Sequence, residues 1–237
     1  MPEESASQSS SGPYTLIASP LHTLLVVVAG TLNAYRGWVF AAHARTGSAP
    51  GRPLLYLRTI LFELLLLGVV IAGVRLRGAS LQNIFGKRWH SPAMALRDMG
   101  IGVALWFVAL LVVSMLGSHS GPADQSIRFL LPQTSVELAL WMLLSAVAGL
   151  CEEAVFRGYL QCQFTALTKS APAGILISAA AFGAVHAYQG WQRAAVISVS
   201  AILFGVVVQW CGTVRPGMFA HALQDSIAPL LIRLMRH

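Results

Sequence analysis

The feature of this sequence that most limits its fold is a set of long apolar stretches without any charged residue. Two of them are MGIGVALWFVALLVVSMLG (99–117) and AAVISVSAILFGVVVQW (194–210). Each approaches the ~20 residues that an α-helix needs to cross the ~30 Å hydrocarbon core of a bilayer. The stretches are continuously apolar and do not alternate, which argues against a transmembrane β-barrel. The sequence therefore predicts an all-α fold, a polytopic transmembrane helical bundle.

The composition agrees with this prediction and excludes two other classes of protein. Of the 237 residues, 56% are hydrophobic and 11% are charged, whereas soluble domains carry about 25% charged residues. The net charge of +7 comes mainly from Lys and Arg in short connections, where anionic lipid headgroups account for it. We therefore expect membrane lipids as partners and no nucleic acid. The three cysteines, Cys151, Cys162 and Cys211, lack the number and spacing of a disulfide framework or a zinc knuckle.

The chain divides into three predicted regions: a disordered, Ser-rich N-terminus (1–19), N-terminal transmembrane helices (20–129) and a transmembrane core (130–237). Seven apolar segments are predicted, and an eighth span stays open, so that we expect about 7–8 spans. The segments are 21–42, 55–74, 99–117, 136–168, 173–187, 194–211 and 214–232. The basic connector after the second segment contains Leu81, Ile84, Phe85 and Trp89, which predict a short interfacial helix.

The stretch CEEAVFRGYL (151–160) places ionisable groups in the fourth apolar segment. A charged side chain at membrane depth costs at least ~2.5–3.5 kcal/mol on insertion scales, so it needs a partner or water. Glu153 and Arg157 are four residues apart and share a helix face, which predicts an ion pair. Glu152 points about 100° away and has no partner at that spacing, so it is left for chemistry. The alternative is that all three groups only lock helices together.

Two further apolar segments carry histidines. AFGAVHAY places Phe182 and His186 four residues apart, and FAHALQDSIAPLL does the same for His221 and Asp225. If these segments meet around one polar cavity inside the membrane, they can activate water, because a desolvated glutamate is a good base and an imidazole can orient the same water. Alternatively, two histidines and a carboxylate could bind a divalent metal such as Zn²⁺. The candidate metal ligands are Glu152, His186 and His221.

These residues follow a known pattern. EEAVFR fits EExxxR, FGAVH fits FxxxH and HALQD fits Hxxx(N/D), in that order along residues 130–232. The sequence therefore resembles the intramembrane proteases of the CPBP or Abi family, which comprises type II CAAX prenyl endopeptidases and bacterial bacteriocin-processing relatives. Such a resemblance implies a helical bundle with a water-filled cavity and hydrolysis of peptide bonds in membrane-associated or prenylated substrates.

The resemblance also implies roles for individual residues. Glu152 is the base that activates water and His186 assists it. Glu153 and Arg157 organise the site.

The remaining motif residues have implied roles as well. Phe182 packs beside the site, and His221 and Asp225 face the tetrahedral intermediate. The prenyl endopeptidases carry Asn where this chain has Asp225, and the bacterial branch of the family tolerates Asp. An ionised Asp cannot donate a hydrogen bond to an oxyanion.

Several alternatives stay open at this point. The cofactor is undetermined, since a metal-free glutamate mechanism and a metalloprotease-like one are equally compatible with the residues. A non-enzymatic membrane protein, with an immunity or scaffold role, could retain the same fold. A small transporter with a proton relay has less support, because no internal repeat is evident. Glu63 is expected to pair with an arginine or to lie in the bundle. As location we expect the plasma membrane of a bacterium, with a peptide or protein as substrate.

Overall fold

A computed structural model describes residues 14–45, 51–117 and 130–234, and all regular secondary structure in these ranges is helical. A single long helical rod in the middle of the chain contains an α-helix, a π-helix and a second α-helix without a break. The elements are α1 (Pro20–Arg45), α2 (Arg52–Leu76), α3 (Gln82–Phe85), α4 (Pro92–Gly117), α5 (Ser135–Glu152), the π-helix (Glu153–Leu160), α6 (Gln161–Thr168), α7 (Ala171–Val185), a 3₁₀ turn (Ala187–Gln189), α8 (Trp191–Cys211) and α9 (Arg215–Leu234).

The fold is a helical membrane bundle, as predicted. Within the described ranges, five helical segments are long and apolar enough to cross a membrane, namely Pro20–His43, Arg52–Leu76, Pro92–Leu116, Ser135–Thr168 and Trp191–Cys211. Ala171–Val185 is a shorter apolar helix. Large apolar side chains such as Leu61, Leu65 and Phe107 lie exposed on the outside. These side chains are suited to contact with lipid, because acyl chains surround the outer surface of a helical bundle inside a membrane.

The helices pack around the central rod. α2 and α9 both lie against α5, α4 lies against α9, and α7 pairs with α8 and with α6. The main apolar core joins residues of α1 and α2 to the π-helix, with Val70, Val74, Val155 and Tyr159 among its most buried members. The C-terminal segments that carry the sequence motifs are thus enclosed by helices from the N-terminal half.

The π-helix is a departure from the sequence prediction, which expected one continuous α-helix over 136–168. All eight residues Glu153–Leu160 are buried. A π-turn widens the helix and is frequently found at functional sites. In this chain it contains Glu153 and Arg157, so the local backbone change coincides with the charged motif.

The basic connector forms the short helix α3, which confirms the helix predicted there. Ile84 lies against the backbone of the central rod at Gly158, where a β-carbon would come within 2.7 Å of the Ile84 carbonyl oxygen. Thr213 donates a hydrogen bond to the Phe85 carbonyl over 2.9 Å, and Arg215 donates one to the Lys87 carbonyl over 2.6 Å. The connector is therefore fastened to the start of α9.

Residues 14–19 precede α1 and are partly buried. Disorder was predicted for 1–19; residues 1–13 lie outside the described ranges, whereas Ile17 and Ala18 are buried. Their backbone N–H groups donate to Oε1 of the buried Gln163 over 2.9 and 3.3 Å. The ordered part of the chain therefore begins before the first predicted span, because the Gln163 side chain of the central rod binds the backbone of Ile17 and Ala18.

Candidate active site

Glu153 lies at the centre of a buried charged network that joins the π-helix to α9. Its Oε1 atom forms an ion pair with Arg157 Nη1 at 2.9 Å and accepts a hydrogen bond from His221 Nδ1 at 3.1 Å. Glu153 is 0% exposed and Arg157 3%. The predicted ion pair is present, and it offsets the cost of placing either charge at this depth.

Aromatic rings from two other helices fix the Arg157 guanidinium. Its central carbon lies 4.1 Å from the ring centroid of Phe182 on α7 and 5.3 Å from that of Phe204 on α8. Phe182 also meets the His221 ring edge-on at 5.9 Å between centroids. Phe182 of the FxxxH motif is thus the packing partner of both Arg157 and His221.

Glu152 is the last residue of α5 and projects toward a different atom of His221. Its Oε2 atom lies 3.7 Å from His221 Nε2, which is beyond hydrogen-bond distance. This oxygen is buried and has no hydrogen-bond partner in the described chain. A buried carboxylate oxygen without a donor is costly, and it offers a place for a water molecule or a substrate group.

Asp225 lies one turn after His221 on α9. Its Oδ2 atom is 3.6 Å from the same His221 Nε2 that Glu152 approaches. The Asp225 backbone carbonyl accepts a hydrogen bond from Trp141 Nε1 at 2.9 Å, which ties α9 to α5. His221 is therefore surrounded by three carboxylates, and an imidazolium could donate to them from both of its ring nitrogens.

His186 directly follows α7, and its ring lies 4.6 Å from that of Phe182 between centroids. Its Nδ1 atom lies 2.8 Å from the Phe182 carbonyl oxygen, and since a carbonyl can only accept, Nδ1 carries the proton. In the neutral ring Nε2 is then the basic nitrogen. His186 is an electrostatic neighbour of Asp225. The structure thus places all six predicted site residues, Glu152, Glu153, Arg157, His186, His221 and Asp225, in one region between α5, the π-helix, α7 and α9.

Two residues of this region were not predicted as site residues. Glu63 on α2 is buried and is an electrostatic neighbour of Glu152 and His221. Tyr188 in the 3₁₀ turn stacks beside His186, with 6.2 Å between ring centroids. Burial raises the pKa of Tyr188 to about 12, so the phenol stays protonated. Tyr188 stands two residues after His186 in the AFGAVHAY stretch, so the sequence contains a signal for it. No feature of the sequence around Glu63 connects that residue to the motifs.

The three predicted metal candidates do not converge as a ligand set. Among the described residues, no group of three or more His, Cys, Asp or Glu side chains is arranged to hold a metal ion. The Nδ1 atoms of His186 and His221 are occupied by hydrogen bonds, and His221 Nε2 is equidistant, within 0.1 Å, from two carboxylates on different helices. The described side chains therefore form no assembled metal site, and no chemical step below depends on a metal.

Comparison with known proteins addresses the same region of the chain. Residues 134–227 match the family model described as type II CAAX prenyl endopeptidase Rce1-like. No curated protein matches the chain, and no solved structure does. The matched range contains all three motifs and confirms the resemblance predicted from them. Residues 134–227 of this membrane protein are therefore similar to the Rce1-like family of type II CAAX prenyl endopeptidases.

Proposed function

We propose that this protein is an intramembrane endopeptidase that hydrolyses peptide bonds with a water molecule activated by Glu152. The observation that carries the proposal is the buried Oε2 atom of Glu152, which has no hydrogen-bond partner and lies 3.7 Å from His221 Nε2. The neighbouring Glu153 and Arg157 neutralise each other, so Glu152 is the glutamate of the motif that remains available as a base.

The reaction proceeds by general base and general acid catalysis. Glu152 takes a proton from water while the water oxygen attacks the scissile carbonyl carbon. A protonated His221 donates a hydrogen bond to the negatively charged oxygen of the tetrahedral intermediate. When the C–N bond breaks, Glu152 returns its proton to the leaving amine. The products are a carboxylic acid and an amine, so that the water is fully accounted for.

Glu153 and Arg157 position the reacting groups. Glu153 accepts from His221 Nδ1 at 3.1 Å, which orients the ring with Nε2 toward Glu152 and Asp225. His186, whose Nε2 is the basic nitrogen, assists in orienting the water. The substrate class that fits a membrane location is a membrane-associated or prenylated peptide, and the bacterial branch that tolerates Asp at position 225 favours a bacterial plasma membrane.

A cleavage assay on the reconstituted protein tests the proposal. Wild type and Glu152→Gln are incubated with quenched fluorescent peptides, each with and without a lipid anchor. Removing a general base lowers the rate by roughly 100-fold or more, so Glu152→Gln should lose cleavage while its melting temperature stays near that of wild type. Glu137→Gln is the control, since Glu137 begins the same rod but caps the α5 N-terminus. Equal cleavage by wild type and Glu152→Gln would refute the mechanism.

A non-enzymatic role is the second candidate, and the observation that favours it is Asp225. In ionised form this residue cannot donate the hydrogen bond that Asn donates at the same place in the prenyl endopeptidases. If Glu152→Gln and His186→Ala together restore the phenotype of a deletion strain as fully as wild type does, the protein acts through binding and not through hydrolysis.

A further inference from the structure

An apolar groove of about 270 Å³ lies between the membrane-spanning helices α4 and α8. Only apolar and aromatic side chains line it, among them Ile101, Leu105, Val108, Leu203, Val207 and Trp210. Val108 and Trp210 are also exposed on the outside of the bundle, so the groove opens toward the lipid. Since the hydrocarbon core of a bilayer contains no water, an acyl chain is the kind of group that fills such a groove.

One end of this α4–α8 groove lies at the basic connector. On α4, Arg97 precedes Ile101 by four residues, so it stands on the same helix face, about 6 Å beyond the end of the groove. On α8, Trp210 is the last residue but one, since the helix ends at Cys211. The hydrogen bonds from Thr213 and Arg215 to the connector place this end of α8 beside the start of α4.

Side-chain contacts join the cations at this end of the groove into one cluster. Arg97 Nη2 and Trp89 Nε1 both donate to the Asp98 carboxylate, each over 2.8 Å. The guanidinium carbon of Arg215 lies 5.0 Å from the centroid of the Trp89 ring, and Arg215 Nη1 donates to the Lys87 carbonyl. We call the four cationic residues of this cluster the basic rim: Lys87, Arg88, Arg97 and Arg215.

The basic rim carries more positive charge than its own acid can balance. Asp98 is the only acid in residues 75–98, and it is buried and bonded to Arg97 and Trp89. Lys87 and Arg88 are exposed, and no hydrogen bond or ion pair connects their side chains to any residue that the structure describes. Such cations attract anionic headgroups at a membrane surface, and an arginine can bind phosphate oxygens in a bidentate manner.

We propose that the α4–α8 groove and the basic rim together form a binding site for an anionic phospholipid, with an acyl chain in the groove and the phosphate at the rim. The groove selects a hydrocarbon chain and the rim selects negative charge, so the two features together identify the ligand. Leu105, Leu203 and Val207 of the groove pack against Phe204, whose ring lies 5.3 Å from the Arg157 guanidinium carbon. The bound lipid therefore supports the helix that contacts Arg157, and its binding does not depend on the proposed function.

Quenching of Trp210 fluorescence tests the site in the reconstituted full-length chain. Bilayers of phosphatidylcholine contain increasing fractions of phosphatidylglycerol or phosphatidylcholine with brominated acyl chains, and the Trp210 emission is the difference between wild type and Trp210→Phe. Brominated phosphatidylglycerol should reach half-quenching at a roughly fivefold lower fraction than brominated phosphatidylcholine, as expected for a phosphate that gains one net contact with a cation. Equal quenching by the two lipids would overturn the proposal, because Trp210 would then contact only bulk lipid.

Two pairs of charge substitutions separate the basic rim from the general surface charge. Lys87→Gln with Arg88→Gln should lower the preference for phosphatidylglycerol to less than about twofold, because the rim loses two exposed cations. The matched control is Arg75→Gln with Arg77→Gln, which removes the same charge from the other end of the same connector and should keep the preference. All four residues are exposed, so the melting temperatures should stay near that of wild type. An equal loss of preference in both pairs would overturn the assignment of the phosphate to the rim.

A second pair of variants tests the acyl chain. Ala104 lines the groove and is exposed, so Ala104→Phe fills part of the groove and should weaken the quenching of Trp210 by brominated phosphatidylglycerol. Val103 is exposed next to it but does not line the groove, and Val103→Phe should leave the quenching unchanged. Equal quenching in the two variants would overturn the placement of the chain between α4 and α8.

Discussion

The charge pair of the motif illustrates how single residues are stabilised in this bundle. Arg157 and Glu153 are both nearly inaccessible, and the guanidinium lies between the rings of Phe182 and Phe204. Arg157→Met keeps the volume but leaves the Glu153 carboxylate without its cation. Removing one partner of a buried pair costs about 3–5 kcal/mol. We expect a loss of stability in that range, measured by unfolding in mild detergent.

A double-variant cycle separates the lost pair from lost packing. Glu153→Gln combined with Arg157→Met removes both charges, and a glutamine oxygen can still accept from His221. The double variant should therefore be more stable than Arg157→Met alone, with an interaction energy of about 0.5–3 kcal/mol. Additive effects of the two substitutions would show that Arg157 acts through packing against Phe182 and not through its charge.

Local spacing was sufficient to predict this pair, but not all of the residues around it. Glu153 and Arg157 lie four residues apart, so the helical repeat alone placed them on one face. The His221 contact with Glu153 spans 68 residues and could be predicted only through the family motifs. Glu63 belongs to no motif, and its position near Glu152 depends on how α2 packs on α5. No local feature of the sequence carries that information.

At the scale of elements, the closeness of α5 and α9 determines the distance between Glu152 and His221. Gly149 lies where these helices touch, and a β-carbon there would come within 2.8 Å of the Ala222 backbone nitrogen and 2.9 Å of the Met218 carbonyl oxygen. Gly149→Ala must therefore push α9 away. We expect a destabilisation of about 1–3 kcal/mol, typical of overpacking, together with reduced cleavage.

The matched control is a glycine in another helix that contacts nothing. A β-carbon at Gly68 of α2 would have no atom within 4 Å. Gly68→Ala should be neutral or stabilising by up to about 1 kcal/mol, because alanine favours helix, and should leave cleavage unchanged. If Gly149→Ala unfolds at the same temperature as Gly68→Ala, the close approach of α5 and α9 does not limit stability.

Helix positions were predictable because apolar stretches of this length have few alternatives in a membrane. The predicted segment 55–74 lies within α2, and 194–211 lies within α8. The π-helix was not predictable, because its stretch Glu153–Leu160 has the same apolar and polar pattern as an α-helix. Tertiary contacts accompany it, such as the Ser178 hydroxyl that donates to the Phe156 carbonyl over 2.7 Å.

On the scale of the whole molecule, the region that matches the family model and the N-terminal half form one structure. Gln163 is fully buried and its amide nitrogen donates to the Ala18 carbonyl at 3.1 Å and to the Thr23 hydroxyl at 2.6 Å. His22 on α1 lies 2.7 Å from the Tyr159 hydroxyl. The rod that carries Glu152 is thus hydrogen-bonded to α1 and to the segment before it. Residues 134–227 on their own would lose these contacts.

Contacts between the connections and the helix ends place the connections on two opposite faces of the bundle. This arrangement predicts a labelling pattern. The connector after α2 is bonded to Thr213 and Arg215, whereas the start of α5 lies beside Arg52, with 3.9 Å between Arg52 Nη1 and Glu137 Oε1. Since α2 runs from Arg52 to Leu76 across the bilayer, Ser91 and Ser135 should lie on opposite sides of the membrane.

Single cysteines at these two positions test the arrangement. Both serines are exposed, and Cys162 and Cys211 are first replaced by serine, while the buried Cys151 is retained. In sealed vesicles an impermeant maleimide should label one of the variants Ser91→Cys and Ser135→Cys at once and the other only after permeabilisation. Labelling of both variants in intact vesicles would contradict the transmembrane path of α2. The side on which Ser91 reacts also gives the orientation of the basic connector, because Lys and Arg near the ends of spans favour the cytoplasm.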